Sequence, residues 1–179
     1  MAMTSDAEII TYCSYESPVG SLLIGGQGGA LEFLHFPESA RRRFVEEGWV
    51  EDATPYGALI AQLDAYFARE LEEFSLDWRL IGTDFQKSVW EQLAAIPFGE
   101  TRSYGDIATA LGNPGASRAV GLANNANPLP IVIPCHRVIG ANGALVGFGG
   151  GLETKVWLLE HEGIAFGPGA SKDQMAFSF

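Results

Sequence analysis

Ser103-Tyr104-Gly105-Asp106-Ile107-Ala108-Thr109-Ala110-Leu111-Gly112-Asn113-Pro114-Gly115-Ala116-Ser117-Arg118-Ala119-Val120-Gly121-Leu122-Ala123-Asn124-Asn125 reads as two short helices around a tight turn. Ser103 is placed to cap a helix over 104–111, Gly112-Asn113-Pro114-Gly115 supplies the turn, and 116–125 forms the second helix, the outline of a helix-turn-helix. Upstream, Thr83 precedes Gln86 by three residues, the spacing of a reciprocal capping box, and Phe85, Val89, Trp90 and Leu93 give the helix that follows an apolar face. Downstream, Asn127-Pro128-Leu129-Pro130 stops the second helix. The β-branched Ile131-Val132-Ile133 then reads as a strand leading into Pro134-Cys135-His136-Arg137-Val138. A Gly-rich loop, 140–151, precedes a last helix over 152–162 that Gly163 closes.

Further toward the N-terminus the periodicity changes. Residues 9–15, 21–24 and 30–36 are short, apolar and β-rich, with Gly and Pro between them, and predict a small antiparallel meander. Leu59, Leu63, Tyr66, Phe67 and Leu71 recur at helical spacing, and 74–80 returns to an extended pattern. The expected organisation is an α+β chain: an N-terminal α/β domain over 1–82, a mostly helical, winged-helix-like domain over 83–166, and a flexible tail over 167–179.

With 179 residues, 47% hydrophobic and 18% charged, the chain has the composition of a core-forming protein rather than a disordered one. Its apolar runs are far shorter than the roughly 20 residues of a membrane span. The N-terminus lacks a positive start and apolar stretch, so a cytoplasmic protein with no membrane contact is expected. Two cysteines, Cys13 and Cys135, are expected to be free thiols. The net charge of −11 argues against a simple polyanion binder, but it is unevenly spread: residues 1–83 carry −9 and residues 84–166 only −2.

Cys135 stands out because His136 and Arg137 follow it, and neighbouring cationic groups lower a thiol pKa toward neutrality. A lone cysteine is more often buried and inert, which remains the reading for Cys13. If the chain is extended at 135–136, the two side chains point to opposite faces, so a bend or a water has to join them. Glu162 is a carboxylate able to orient the imidazole in a thiol–imidazole–carboxylate relay, although a Glu at a helix end is more often solvated. Arg118 falls in the opening turn of the second helix, where a recognition helix meets DNA.

Taken together, Ser103-Tyr104, Gly112-Asn113-Pro114, Ser117-Arg118-Ala119-Val120-Gly121, Asn127-Pro128, Pro134-Cys135-His136-Arg137-Val138, Gly149-Gly150-Gly151-Leu152 and Trp157-Leu158-Leu159-Glu160-His161-Glu162 form an ordered set. Through them residues 83–166 resemble the O6-alkylguanine-DNA alkyltransferases, also called methylated-DNA–protein-cysteine methyltransferases. The first half is compatible with that family's ribonuclease-H-like N-terminal domain.

The resemblance implies direct reversal of DNA alkylation. A minor-groove helix-turn-helix flips O6-alkylguanine, with O4-alkylthymine a further candidate, out of duplex DNA, and the alkyl group passes once to Cys135. His136 and Glu162 would activate the thiol and Asn127 would hold the hinge. Tyr104, Arg118, Ser103, Asn125 and Arg137 would contact DNA. Pro130, Val138, Phe148 and Gly149 would line the pocket, with the carbonyls of Cys135 and Val138 reading the guanine amine. No cofactor or metal is implied, and a monomer is expected. Phe148 and Gly149 replace the Tyr and Ser of many members. A basic residue before Asn127-Pro128 is missing, so weak and strongly salt-sensitive DNA binding is expected. The N-terminal half lacks the Cys/His set that binds zinc in some members. Two other classes are weighed: a non-catalytic lesion binder, against which the presence of Cys135 argues, and a Cys-His-Glu thiol hydrolase, which would turn over.

Overall fold

Pro18 and Val19 form the turn of a hairpin in which β1 (Ile10–Ser17) and β2 (Gly20–Gln27) pair antiparallel, in register from Ile10↔Gln27 to Ser17↔Gly20. A short β3 (Phe33–His35) adds antiparallel to β2, completing the expected meander. On the other edge, β4 (Val50–Glu51) joins β1 in parallel, giving the order β3-β2-β1-β4. This parallel edge is a correction, since two residues carry no readable periodicity. α1 (Gly57–Phe67) buries Leu59, Leu63 and Tyr66 at i, i+4 and i+7, one helical stripe. Leu71, expected on this helix, lies beyond its end. The 74–80 segment forms no strand; the Arg79 N–H donates to the Leu31 carbonyl at 2.9 Å, and its guanidinium pairs with Glu32.

This computed structural model describes residues 9–39 and 41–165, and the chain divides into two compact units, Met1–Ile81 and Gly82–Phe179. The tail expected over 167–179 lies outside the described residues.

In the second unit the first two helices are capped by neighbours in sequence. α2 (Asp84–Ala94) starts at Thr83, whose hydroxyl accepts from Gln86 N–H at 3.1 Å while Thr83 N–H donates to Gln86 Oε1 at 2.9 Å. α3 (Tyr104–Ala110) repeats the device with Ser103 and Asp106. It ends where Gly112 adopts φ +75, a left-handed conformation that costs glycine nothing. There Asn113 N–H reaches Ala108 O and Gly112 N–H reaches Thr109 O, the paired bonds of a Schellman stop. A 3-10 turn, Pro114–Ala116, leads into α4 (Ser117–Asn125). The Trp90 indole donates to the Ala123 carbonyl at 2.8 Å, tying α2 to α4. β5 (Arg102–Ser103) and β6 (Val138–Ile139) form a short parallel pair, and α5 (Leu152–His161) closes the unit. Among the described residues no helix is long and apolar enough to cross a membrane.

Candidate active site

The expected strand at 131–133 is replaced by a sharper path. Only a single bridge, Pro130↔Ile133, forms there, and Ile131 sits at φ +75, a strained conformation for a β-branched residue. Asn127 braces this bend: its Nδ2 donates to the Ile133 carbonyl at 2.7 Å and its Oδ1 accepts from Leu129 N–H at 3.0 Å. Pro134 then hands the chain to a 3-10 turn, Cys135–Arg137. Because that turn is tight rather than extended, the alternation expected between Cys135 and His136 does not apply.

His136 is fully buried, and its Nε2 lies 2.7 Å from Glu162 Oε1. Glu162 is drawn inward at the end of α5, one residue before Gly163 (φ +85), where Gly163 N–H donates to Glu160 O and Ile164 N–H to Leu159 O. Arg137 grips the same carboxylate in a bidentate pair, Nε to Oε2 at 2.8 Å and a terminal nitrogen to Oε1 at 3.0 Å, and donates to the Ile96 carbonyl. These partners hold the Glu162 carboxyl ionised, far below the usual carboxylate range, against the opposing effect of its burial. Burial pushes the His136 pKa down. With an ionised carboxylate at Nε2, the imidazole carries its proton there, and Nδ1, which has no protein partner, keeps a free lone pair.

Arg137 is therefore not a DNA contact. At 5% exposure, with its donors directed to Glu162 and Ile96, it belongs to the internal charge network.

Cys135 is also corrected. It is 4% exposed, and burial pushes its thiol up to about 11 rather than down. Opposing that rise are the Asn127 side chain, the charge of Lys155 and the backbone N–H groups of Cys135 and His136. The sulfur is thus surrounded by groups that favour a thiolate, inside a site whose desolvation disfavours one.

Lys155 is the residue that sequence reasoning missed. Fully buried on α5, it donates from Nζ to the Val138 carbonyl at 2.6 Å and to the Val146 carbonyl at 2.9 Å. Burial lowers its pKa to about 8, and the nearby Cys135 opposes that fall. A signal existed: Lys155, Leu158, Leu159 and Glu162 share one helical stripe, so a cation stands on the inward face.

The other expected site residues are distributed around this centre. The half-buried Tyr104 directs its hydroxyl to the Val146 carbonyl at 3.3 Å, and burial and Cys135 raise its pKa to about 12. Pro130 and Val138 are buried, Phe148 is half-buried and Gly149 is exposed. The Cys135 carbonyl already accepts from Val138 N–H, and the Val138 carbonyl from Lys155. Ser103 accepts the Asp106 N–H as a cap, while Arg118 and Asn125 stand exposed on α4. Among the described residues, no group of three or more His, Cys, Asp or Glu side chains is placed to hold a metal ion. A cleft of about 460 Å³ in the first unit is lined by apolar groups with Tyr56, Asp77 and Arg79, and by no Cys, Ser, His or Lys.

Comparison with known proteins agrees with this geometry. Residues 84–164 match the family model described as 6-O-methylguanine DNA methyltransferase, DNA binding domain, and residues 10–80 match the ribonuclease-like domain of the same proteins. The methylated-DNA–protein-cysteine methyltransferase of Methanosarcina acetivorans is 50% identical over 152 residues, spanning 85% of this chain and 97% of its own. That of Mycobacterium leprae is 50% identical over 149 residues, 83% of this chain and 90% of its own. The crystal structure of Mycobacterium tuberculosis OGT in complex with DNA superposes with a TM-score of 0.80 at 49% identity, covering 86% of this chain and 93% of that one. Both halves of the chain, and the whole span of its α+β fold, thus place it in the 6-O-methylguanine DNA methyltransferase family.

Proposed function

We propose that the chain repairs alkylated DNA by moving the alkyl group of O6-alkylguanine from an everted base to its own Cys135, once per molecule. The observation that carries this reading is the neutral His136, its Nε2 fixed by Glu162 and its Nδ1 lone pair free, on the same 3-10 turn as the only cysteine of the second unit.

The step balances without a cofactor. His136 Nδ1, acting through a bridging water, takes the Cys135 proton. The thiolate sulfur forms a bond to the alkyl carbon as the carbon–oxygen bond of the lesion breaks. The proton then returns to the departing guanine, leaving a thioether and a normal base. Lys155 and the backbone N–H groups at 135 and 136 stabilise the transient thiolate. The carbonyls of Cys135 and Val138 each keep one lone pair for the guanine amine, and Tyr104, whose hydroxyl feels the charge of Cys135, assists the leaving oxygen. With Phe148 and Gly149 at their positions, no side-chain hydroxyl helps from the loop.

Incubation with a duplex carrying 6-O-methylguanine is expected to add one methylene to the peptide containing Cys135, to no more than one equivalent, and to add nothing in Cys135→Ala. Binding without a mass gain would mark a lesion-recognition protein, and sustained turnover of an ester or amide a thiol hydrolase. Either outcome overturns the proposal.

Arg118, exposed at the start of α4, would fill the space the flipped base leaves. Arg118→Ala is expected to slow repair in duplex about 10- to 100-fold and to slow reaction with free benzylguanine far less, because only the duplex requires extrusion. Equal slowing on both substrates would remove Arg118 from that role.

A further inference from the structure

DNA recognition by this unit faces a shortage of positive charge. Residues 82–165 contain five Lys and Arg: Lys87, Arg102, Arg118, Arg137 and Lys155. Arg137 and Lys155 are buried on carboxylate and carbonyl partners, and Arg102 pairs with Glu100 at 2.8 Å. Within this unit three surface cations at most can displace counterions, which limits its share of the slope of log K against log salt to roughly −3. Contacts made by this unit alone are therefore shallow in their salt dependence, against the strong sensitivity expected from the sequence, and their strength has to come from elsewhere.

The outward face of α4 offers another source. Burial on this helix runs through Val120, Ala123 and Asn124, which leaves Arg118, Ala119, Leu122 and Asn125 as one exposed stripe at i, i+1, i+4 and i+7. Leu122 is 68% exposed at the middle of that stripe, one turn beyond Arg118. A single exposed leucine is ordinary on a protein surface. Its position is not, because it occupies the centre of the face assigned above to DNA, where a polar or cationic side chain would be expected in a phosphate-driven binder. Proteins that enter the minor groove commonly use apolar side chains there, packing against sugars and base edges and easing the duplex open.

We infer that Leu122 is an apolar minor-groove contact and that it supplies a salt-independent share of this chain's affinity for duplex DNA. The inference rests on the proposed DNA role of α4 and goes beyond it, because it names which side chain carries the affinity and by what kind of interaction. Ala119 continues the apolar strip, while Arg118 and Asn125 bound it.

The test is equilibrium binding of the full chain to an undamaged fluorescent duplex, which is bound without being consumed, across a series of KCl concentrations. Leu122→Ala is expected to weaken binding about 5- to 10-fold at every concentration with the slope unchanged, from the apolar carbons it removes. Leu122→Asn should weaken it at least as much at similar size, and Leu122→Met should retain most of the affinity. Arg118→Ala should instead make the slope shallower by about 0.9. If Leu122→Ala and Leu122→Asn both bind within twofold of the native chain at every salt while Arg118→Ala flattens the slope, the inference is wrong and α4 remains the DNA face. If Arg118→Ala leaves the slope untouched as well, α4 is not that face and both readings fall. Thermal melting of each variant checks that a loss of binding is not a loss of fold.

Discussion

Glu162→Ala is expected to lower the melting temperature of the second unit by more than about 10 °C and to slow alkyl transfer at least about 100-fold. One fully buried carboxylate accepts from both Arg137 and His136, themselves buried. Removing it leaves a guanidinium buried and unpaired, a loss of about 3–5 kcal/mol in comparable networks. At 4–8 °C per kcal/mol for a domain of this size, the melting shift follows. The rate falls because His136 loses the partner that fixes its tautomer, and general-base assistance is worth about 10²–10⁴. Glu162→Gln should separate the two effects, keeping the shape and much of the stability while losing the ionised acceptor. A variant that melts like the native chain would show that the pair contributes little to the fold.

The same network makes the fold sensitive to acid. Glu162 has a folded pKa below its unfolded value, so its contribution is complete above the ordinary carboxylate pKa and is lost as pH falls below it. His136 is also depressed on folding, so below about pH 6.5 the unfolded chain takes up a proton that the folded one resists. Both linkages have the same sign, and stability is expected to decline from pH 6.5 downward.

Lys155→Met is expected to slow transfer about 10- to 100-fold at pH 7, with a distinctive pH profile. At a pKa of about 11, thiol exceeds thiolate by on the order of 10,000-fold at neutrality, so the rate follows whatever lowers that value. The Lys155 charge is one of those influences, and methionine fills a similar volume without it. Because His136 keeps the Cys135 proton within the site, the variant's rate should stay nearly flat with pH, about 10- to 100-fold below the native one at pH 7. The native profile should bend near pH 8, where Lys155 itself loses its proton, and the two should converge above it. Cys135 and His136 are the titratable groups that feel this charge. Parallel profiles across the whole range would reduce Lys155 to a brace for the Val138 and Val146 carbonyls.

What the sequence revealed was mostly what short-range chemistry decides. The boxes at Thr83–Gln86 and Ser103–Asp106 and the glycine stops at Gly112 and Gly163 were legible because cap and partner lie within a few residues. Cys135, His136 and Glu162 were legible as a set through the resemblance, and the structure brings His136 and Glu162 into direct contact. What escaped depends on distant partners. β4 owes its existence to a β1 edge some forty residues away, and the run Ile131–Ile133, apolar and β-branched, is bent by Asn127 and the flanking prolines instead of pairing. Arg137 is expected among the DNA contacts because its sequence neighbours do not show Glu162 waiting beneath it. The sign of the Cys135 shift differs from expectation for the same reason: adjacency in sequence points to cations, whereas burial decides.

That last point bears on how such a protein survives until it is used. A sacrificial acceptor that carried a free thiolate would be consumed by peroxides and electrophilic metabolites long before meeting its target, since oxidation and conjugation both favour the ionised, accessible form. On the single-use role proposed above, keeping Cys135 protonated and covered makes the reserve durable.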